Sequence, residues 1–314
     1  MRLGNRVLVT GPTGFIGAHV VSALVQDGFS VSVATRRASS PDPAIRTFLI
    51  DTIDGRTDWG ASLENIDSVV HLAGRAHRRA EVQKREADHY SAVNVDGTHH
   101  LASAAARAGV RRFVYLSSIA VNGAMTRGRP PFRPDDVPAP KTFYGVSKLR
   151  AELALAEIQA GSPGLSVDIL RCPVVIGRDA PGNLALLAWA LKKGLPLPFA
   201  SVRNQRAFLA IDDLSDFIAL RLNASATGCC RFTLGSADTV STPQLVRLMA
   251  GALRCRPNLM PAPPAGLRAL LILAGRRDKA DAIVESLEID VGAAKLAGWQ
   301  PKVSIAEAVN RAFG

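Results

Sequence analysis

The chain is short of aromatic residues, of cysteine, of acidic residues relative to basic ones and of long apolar runs, and each shortage removes a class of protein. Aromatics make up 5% of 314 residues. The 38 lysines and arginines exceed the 27 acidic residues, for a net charge of +11. That balance would suit a polyanion, but the basic residues are scattered and lack the aromatic interleaving of a surface on which bases stack. No nucleic-acid partner is expected, and small anionic ligands fit as well. Cys172, Cys229, Cys230 and Cys255 show no metal spacing, and the adjacent Cys229 and Cys230 cannot easily pair. A reducing compartment without a disulfide framework is expected. No cluster of His, Cys and carboxylates marks a catalytic metal, so no metal is expected. The longest apolar run, around Leu267–Ala274, is too short to span a bilayer. It reads as a buried helix, with an interfacial helix flanked by Arg268, Arg276 and Arg277 as the weaker alternative. No signal-peptide pattern precedes the first strand, which points to the cytoplasm without stable membrane insertion.

A hydrophobic content of 47% with 21% charge describes a globular chain long enough for a substantial core. Its first half alternates β-rich runs with helical stretches. Arg6–Thr10, Ser30–Thr35, Ser68–Ala73, Arg112–Ser118 and Ser166–Cys172 read as strands, and Phe15–Asp27, Ala92–Ala108 and Tyr144–Ala160 as helices. Continuous apolar strands alternating with helices imply an α/β fold, a Rossmann-type doubly wound parallel sheet covered on both faces. After Cys172 proline and glycine become frequent and the pattern loosens into a smaller mixed α/β C-terminal substrate region. The expected organisation is a dinucleotide-binding domain over 1–172, rejoined by parts of 207–235, and a substrate-binding region over 173–314. A ligand should lie beyond the carboxyl ends of the strands.

"VLVTGPTGFIG" places Gly11, Gly14 and Gly17 between a strand and a helix. Gly11 permits a tight turn, Gly14 lets backbone approach a pyrophosphate, and Gly17 lets helix and strand pack closely, with the helix N-terminus facing the phosphates. A NAD site would be expected to carry an acidic residue at the end of the next strand, to hold a ribose hydroxyl. That residue is missing; "VATRRASS" offers Arg36 and Arg37 instead, which could pair with a 2′-phosphate.

"FYGVSKLRAEL" sets Tyr144 and Lys148 four apart on one helix face. A neighbouring ammonium favours the phenolate, which would let the tyrosine move a proton. "YLSSIAVNG" supplies Ser117 and Ser118 at a strand's carboxyl end, where either could also simply cap a turn. His71 reads as a satisfied histidine at a strand end rather than a metal ligand.

Taken in order, the glycine loop, "HLAG", "VNVDGT", "LSS" and Tyr-x-x-x-Lys resemble the extended short-chain dehydrogenase/reductase family of sugar-nucleotide epimerases, dehydratases and reductases. The resemblance is strong over residues 1–177 and weaker beyond. It implies that Tyr144 is the acid/base, that Lys148 tunes it and binds the nicotinamide ribose, and that Ser118 holds the reacting oxygen with help from Ser117. It further implies that Thr13, Phe15 and Ile16 join the three glycines at the cofactor, with Leu72, Ala73, Gly74, Asn94 and Pro173, and that Asp51 and Thr52 meet the adenine. On the substrate side it assigns Asn183 and Arg206 to a nucleotide diphosphate. Two departures stand out: Val174 lies in the region of an asparagine the family carries, and "FLAIDDL" lacks a common aromatic and histidine.

The local phrasing resembles a bacterial polysaccharide branch containing UDP-N-acetylquinovosamine-pathway reductases. With Arg36 and Arg37 it implies NADP as cofactor, with NAD as the alternative. The implied reaction is NADPH-dependent reduction of the 4-keto group of a UDP-2-acetamido-2,6-dideoxy-4-hexulose-like sugar in O-antigen synthesis. The alternatives are a UDP-hexose 4-epimerase holding NAD tightly, and a non-enzymatic dinucleotide sensor. The resemblance also implies a homodimer, built from the helices around 94–108 and 144–158.

Overall fold

The computed structural model describes residues 5–36, 45–75, 90–273, 275 and 277–314. Seven strands form one sheet: β1 (Arg6–Thr10), β2 (Ser30–Thr35), β3 (Arg46–Leu49), β4 (Ser68–His71), β5 (Arg112–Ser118), β6 (Ser166–Cys172) and, past two short strands, β9 (Cys229–Thr233). Their order is β3-β2-β1-β4-β5-β6-β9. β1 pairs in parallel with β2 on one side and β4 on the other, so Thr10 lies opposite both Ala34 and His71. The chain order reverses at this β1/β4 boundary, the switch point where a Rossmann-type sheet opens a crevice at its carboxyl end. The strands are apolar on both faces because helices cover both. Val7, Leu8, Val9, Val69 and Val70 are buried, and Phe113, Tyr115 and Val114 divide between the two faces of β5. The remaining strands, β7 (Val174–Ile176) and β8 (Phe208–Ala210), form a separate parallel pair.

Helix limits follow local chemistry. Thr142 caps the helix Phe143–Gly161 by accepting from Gly145 N, and Ser241 with Gln244 forms a full capping box on Thr242–Ala252. One expected helix differs. The stretch expected as a helix over 92–108 opens with a widened π turn at Ser91–Asp96 before the regular helix Gly97–Arg107. The widening falls where Asn94 turns its amide onto the backbone of Arg75, at 2.8 and 3.1 Å. The expectation of a buried helix around Leu267–Ala274 is corrected more sharply: the helix Pro264–Leu273 buries none of its residues. It packs against the helix Arg277–Val284 and keeps its partly covered side for that contact.

The chain divides into two compact units. The first holds Met1–Val121, Pro138–Arg171 and Ser215–Phe232, and contains the body of the large sheet; the second holds Asn122–Val137, Cys172–Leu214 and Thr233–Gly314. Among the described residues no helix is long and apolar enough to cross a membrane. Also among them, no group of three or more His, Cys, Asp or Glu is placed to hold a metal ion.

Candidate active site

At the switch point backbone meets backbone. Gly11 has φ +73°, and a Cβ there would lie 2.8 Å from the Cα and N of Ala73, just after β4. A Cβ on Gly17 would collide with the Gly11 carbonyl oxygen. Gly14, whose N–H donates to Gly11 O at 3.1 Å, precedes the helix Phe15–Gln26 with no side-chain cap. Among the described residues that helix start has no side-chain cap, which fits a phosphate group at its first-turn N–H groups. Thr13 and Gly14 are exposed, and Phe15 and Ile16 are half-buried. Asp51 and Thr52 are exposed just past the end of β3, and Arg36 is exposed just past β2. Arg37 lies outside the described residues.

Lys148 is the centre of the second cluster. It is buried, and its Nζ donates to Leu116 O at 2.8 Å. The ammonium lies 4.6 Å from the centroid of the Tyr115 ring and 6.0 Å from that of Tyr144. A Cβ on Gly74 would stand 3.2 Å from Nζ and 3.3 Å from Asn94 Oδ1, so glycine there leaves room at the lysine. Asn94 is buried and braces the region, because its amide also donates to Ser147 Oγ at 3.0 Å, beside Lys148. Tyr144 begins its helix next to the β5 end: a Cβ on Gly145 would be 2.7 Å from Ala120 O. Ser118 Oγ, at that end, accepts from Ala120 N at 3.2 Å. Leu72 and Ala73 are half-buried between Gly74 and β4.

The two serines separate. Ser118 is half-buried at the strand end, whereas Ser117 is buried and donates to Glu152. Glu152 is also paired with Arg171 at 2.7 Å, and all three are buried. Ser117 is thus held from within the unit. Alternation along β5 is the reason: Ser117 shares the face of Tyr115, and Ser118 takes the other.

Sequence reasoning missed three contributors. The chain has only three tyrosines, and all of them gather here: Tyr115 under the ammonium, and Tyr90 with its ring centroid 6.2 Å from that of Tyr144. Glu152 is the third. The only signal available for it was its place on the helix that carries Tyr144 and Lys148. His71 is the satisfied histidine expected: it is buried between Thr10 Oγ1 at 2.7 Å and Thr98 Oγ1 at 3.0 Å. Burial first, and the Lys148 charge second, lower its pKa to about 3, so the ring is neutral. Burial, helped by the nearby Tyr144 and Glu152, raises Tyr115 well above the usual phenol range. Tyr115 is therefore a neutral phenol, whereas Tyr144 is partly exposed.

In the second unit, Pro173 is half-buried and Asn183 is exposed at the start of the helix Asn183–Lys192. Arg206 is buried, and its Nη1 donates to the carbonyl oxygens of Glu285 at 3.0 Å and Asp281 at 3.4 Å. Burial lowers its pKa to about 10, which still leaves it charged at neutral pH.

A model of the NAD dependent epimerase/dehydratase family matches residues 7–231. The UDP-glucose 4-epimerase of Vibrio cholerae is 33% identical over 309 residues, 98% of this chain and 94% of its own. MoeE5, solved in complex with UDP-glucuronic acid and NAD, has a TM-score of 0.80 and 27% identity, covering 98% of this chain and 97% of that one. The Thermus thermophilus UDP-glucose 4-epimerase in complex with NAD has a TM-score of 0.78 and 25% identity, with the same coverage. These relatives overturn the expectation of NADP and of an NADPH-dependent 4-keto reductase of the quinovosamine branch. The physical reason lies at the end of β2. An exposed guanidinium such as Arg36 is as compatible with the free ribose hydroxyls of NAD as with a 2′-phosphate, so the missing acidic residue does not choose between them.

Proposed function

We propose that this chain, which belongs to the NAD dependent epimerase/dehydratase family, is a UDP-sugar 4-epimerase that keeps NAD bound through turnover. The observation that carries the reading is the Lys148 ammonium, pinned to Leu116 O beside the Tyr144 ring. The glycine loop suits the cofactor's pyrophosphate, since Gly11 and Gly17, where a Cβ would strike neighbouring backbone, let the loop pack closely under a helix start that has no side-chain cap. When bound, NAD supplies a hydride acceptor that can return what it takes.

The roles of the protein groups follow from position. Tyr144 takes the proton of the C4 hydroxyl as the carbinol is oxidised and returns it when the opposite epimer forms. Lys148 stabilises negative charge on that phenol through space, and its buried ammonium also suits a ribose hydroxyl. Ser118 donates to the C4 oxygen and holds it against Tyr144. Asn94 fixes the lysine's surroundings through Ser147 and Arg75. Gly11, Thr13, Gly14, Phe15, Ile16, Gly17, Leu72, Ala73, Gly74 and Pro173 surround the dinucleotide, with Asp51 and Thr52 at the adenine. Asn183 and Arg206 take the substrate diphosphate, and the helices Gly97–Arg107 and Phe143–Gly161 form a homodimer contact.

The test is incubation of purified protein with UDP-glucose, UDP-galactose and their N-acetylamino and uronic acid counterparts, without added cofactor, with products read by NMR. Interconversion of a pair of 4-epimers with no net change at the nicotinamide absorbance band is expected. Failure to interconvert any of these pairs, with or without added NAD, would overturn the reading.

A further inference from the structure

Two stretches of the chain, 180–211 and 239–277, contain no aspartate or glutamate. Together they hold ten lysines and arginines, against a net charge of +11 for the whole protein. Both belong to the second unit. They run side by side: Leu197 N donates to Asn258 O at 2.8 Å, Met260 N to Leu197 O at 2.9 Å, and Ala200 N to Met260 O at 3.1 Å.

Each stretch presents a helix with an apolar outer face. On Pro264–Leu273 the exposed residues are Ala265, Gly266, Ala269, Leu270 and Leu273, and none is polar. Leu270 is 65% and Leu273 86% exposed. The helix's one arginine, Arg268, turns aside to Asp281 at 3.2 Å and Glu285 at 3.3 Å. A surface helix of a soluble domain ordinarily shows the reverse arrangement. On Asn183–Lys192 the exposed face carries Leu186 and Trp189 and runs into exposed Lys192 and Lys193. Leu195 and Met260, both exposed, lie on the segments that join the two stretches.

Leucines, an outward tryptophan and flanking lysines without a carboxylate are the chemistry of a lipid–water interface. The apolar groups enter the acyl boundary, the lysine stems lie along it, and the ammonium heads stay among phosphates. We propose that this face of the second unit docks peripherally on an anionic phospholipid bilayer. A second copy of the same face is a poorer occupant, because it would bring like charge against like charge, the nearby Asp281 and Glu285 being already engaged by Arg268. The inference does not depend on the reaction proposed above.

The experiment is co-sedimentation with phosphatidylcholine vesicles, with and without a third of phosphatidylglycerol, alongside tryptophan fluorescence. Trp59 and Trp299 are buried and Trp189 is 53% exposed, so a blue shift on binding reports Trp189. Binding at least about tenfold tighter to the anionic vesicles is expected, with release at about 0.5 M salt. Both the binding and the shift should be lost in Leu270→Ser/Leu273→Ser and weakened in Lys192→Glu/Lys193→Glu, while each variant melts like the parent protein. No binding, equal binding to neutral vesicles, or binding that survives these substitutions would overturn the proposal. So would a concentration-dependent blue shift without vesicles, accompanied by a dimer mass that Leu270→Ser/Leu273→Ser removes. That result would make the face a contact between copies.

Discussion

Two phenols flank the Lys148 ammonium, and burial separates their roles. Tyr115 lies wholly within the core and its pKa is pushed well above the ordinary phenol value, so it contributes a neutral ring face to the cation. Tyr144 is partly exposed at the first turn of its helix, where a substrate hydroxyl can reach it. Tyr144→Phe should therefore lower kcat by about 10² to 10⁴-fold, the usual contribution of a positioned acid/base. Tyr115→Phe should stay within about tenfold of the parent, the equivalent of 1.4 kcal/mol. Steady-state rates of the two variants, with melting curves as the control for folding, decide the assignment; equal losses would contradict it. His71 gives a second residue-scale prediction. Its pKa falls from 6.5 to about 3 on folding, so the unfolded chain binds a proton that the folded protein refuses. The contribution of this neutral ring is complete above pH 6.5 and is lost as the pH falls towards 3. The slope is at most about 1.4 kcal/mol per pH unit. Urea midpoints of the parent and of His71→Gln, compared at pH 7, 6 and 5, should converge as the pH falls.

At the scale of elements, the helix Phe143–Gly161 is fastened to the sheet by Glu152, which is buried with Arg171 on β6 and accepts a hydrogen bond from the hydroxyl of Ser117 on β5. Removing one member of a buried ion pair leaves the other charge uncompensated, at a cost of about 3–5 kcal/mol. Glu152→Gln should lose stability on that scale in urea unfolding, and Glu152→Met/Arg171→Met should recover much of it. A loss confined to the double variant would refute the argument. This fastening also shows where reading by sequence stops. The glycine loop, Tyr144 with Lys148, and Ser118 were legible because each motif is short and its spacing maps directly onto a turn, a helix face or a strand end. β1, β2, β5 and β6 matched their apolar runs for the same reason. Glu152 and Tyr115 were not legible, because their partners are distant in sequence and no local spacing announces them. The Leu267–Ala274 run was misjudged because apolar character says that a helix has an apolar face, not that the fold covers it.

For the whole molecule, the excess of positive charge attracts both nicotinamide dinucleotides, and the more highly charged NADP more strongly. Long-range attraction therefore does not favour NAD, and the arginines after β2 were a misleading guide for the same reason. Specific binding should show itself when that attraction is screened. A ligand that binds only the folded state stabilises it by RT ln(1 + [L]/Kd), about 2.7 kcal/mol at a hundredfold excess over Kd. For a chain of this size that corresponds to a rise in Tm of several degrees, at about 2–4 °C per kcal/mol. Protein stripped of cofactor should show this rise with NAD at low salt and retain it at about 0.5 M salt, where surface attraction is largely screened. The rise with NADP should be smaller and should shrink as salt is added. A shift for NADP that equals that for NAD and persists at high salt would place a phosphate-binding group at the end of β2 and count against an epimerase that retains NAD.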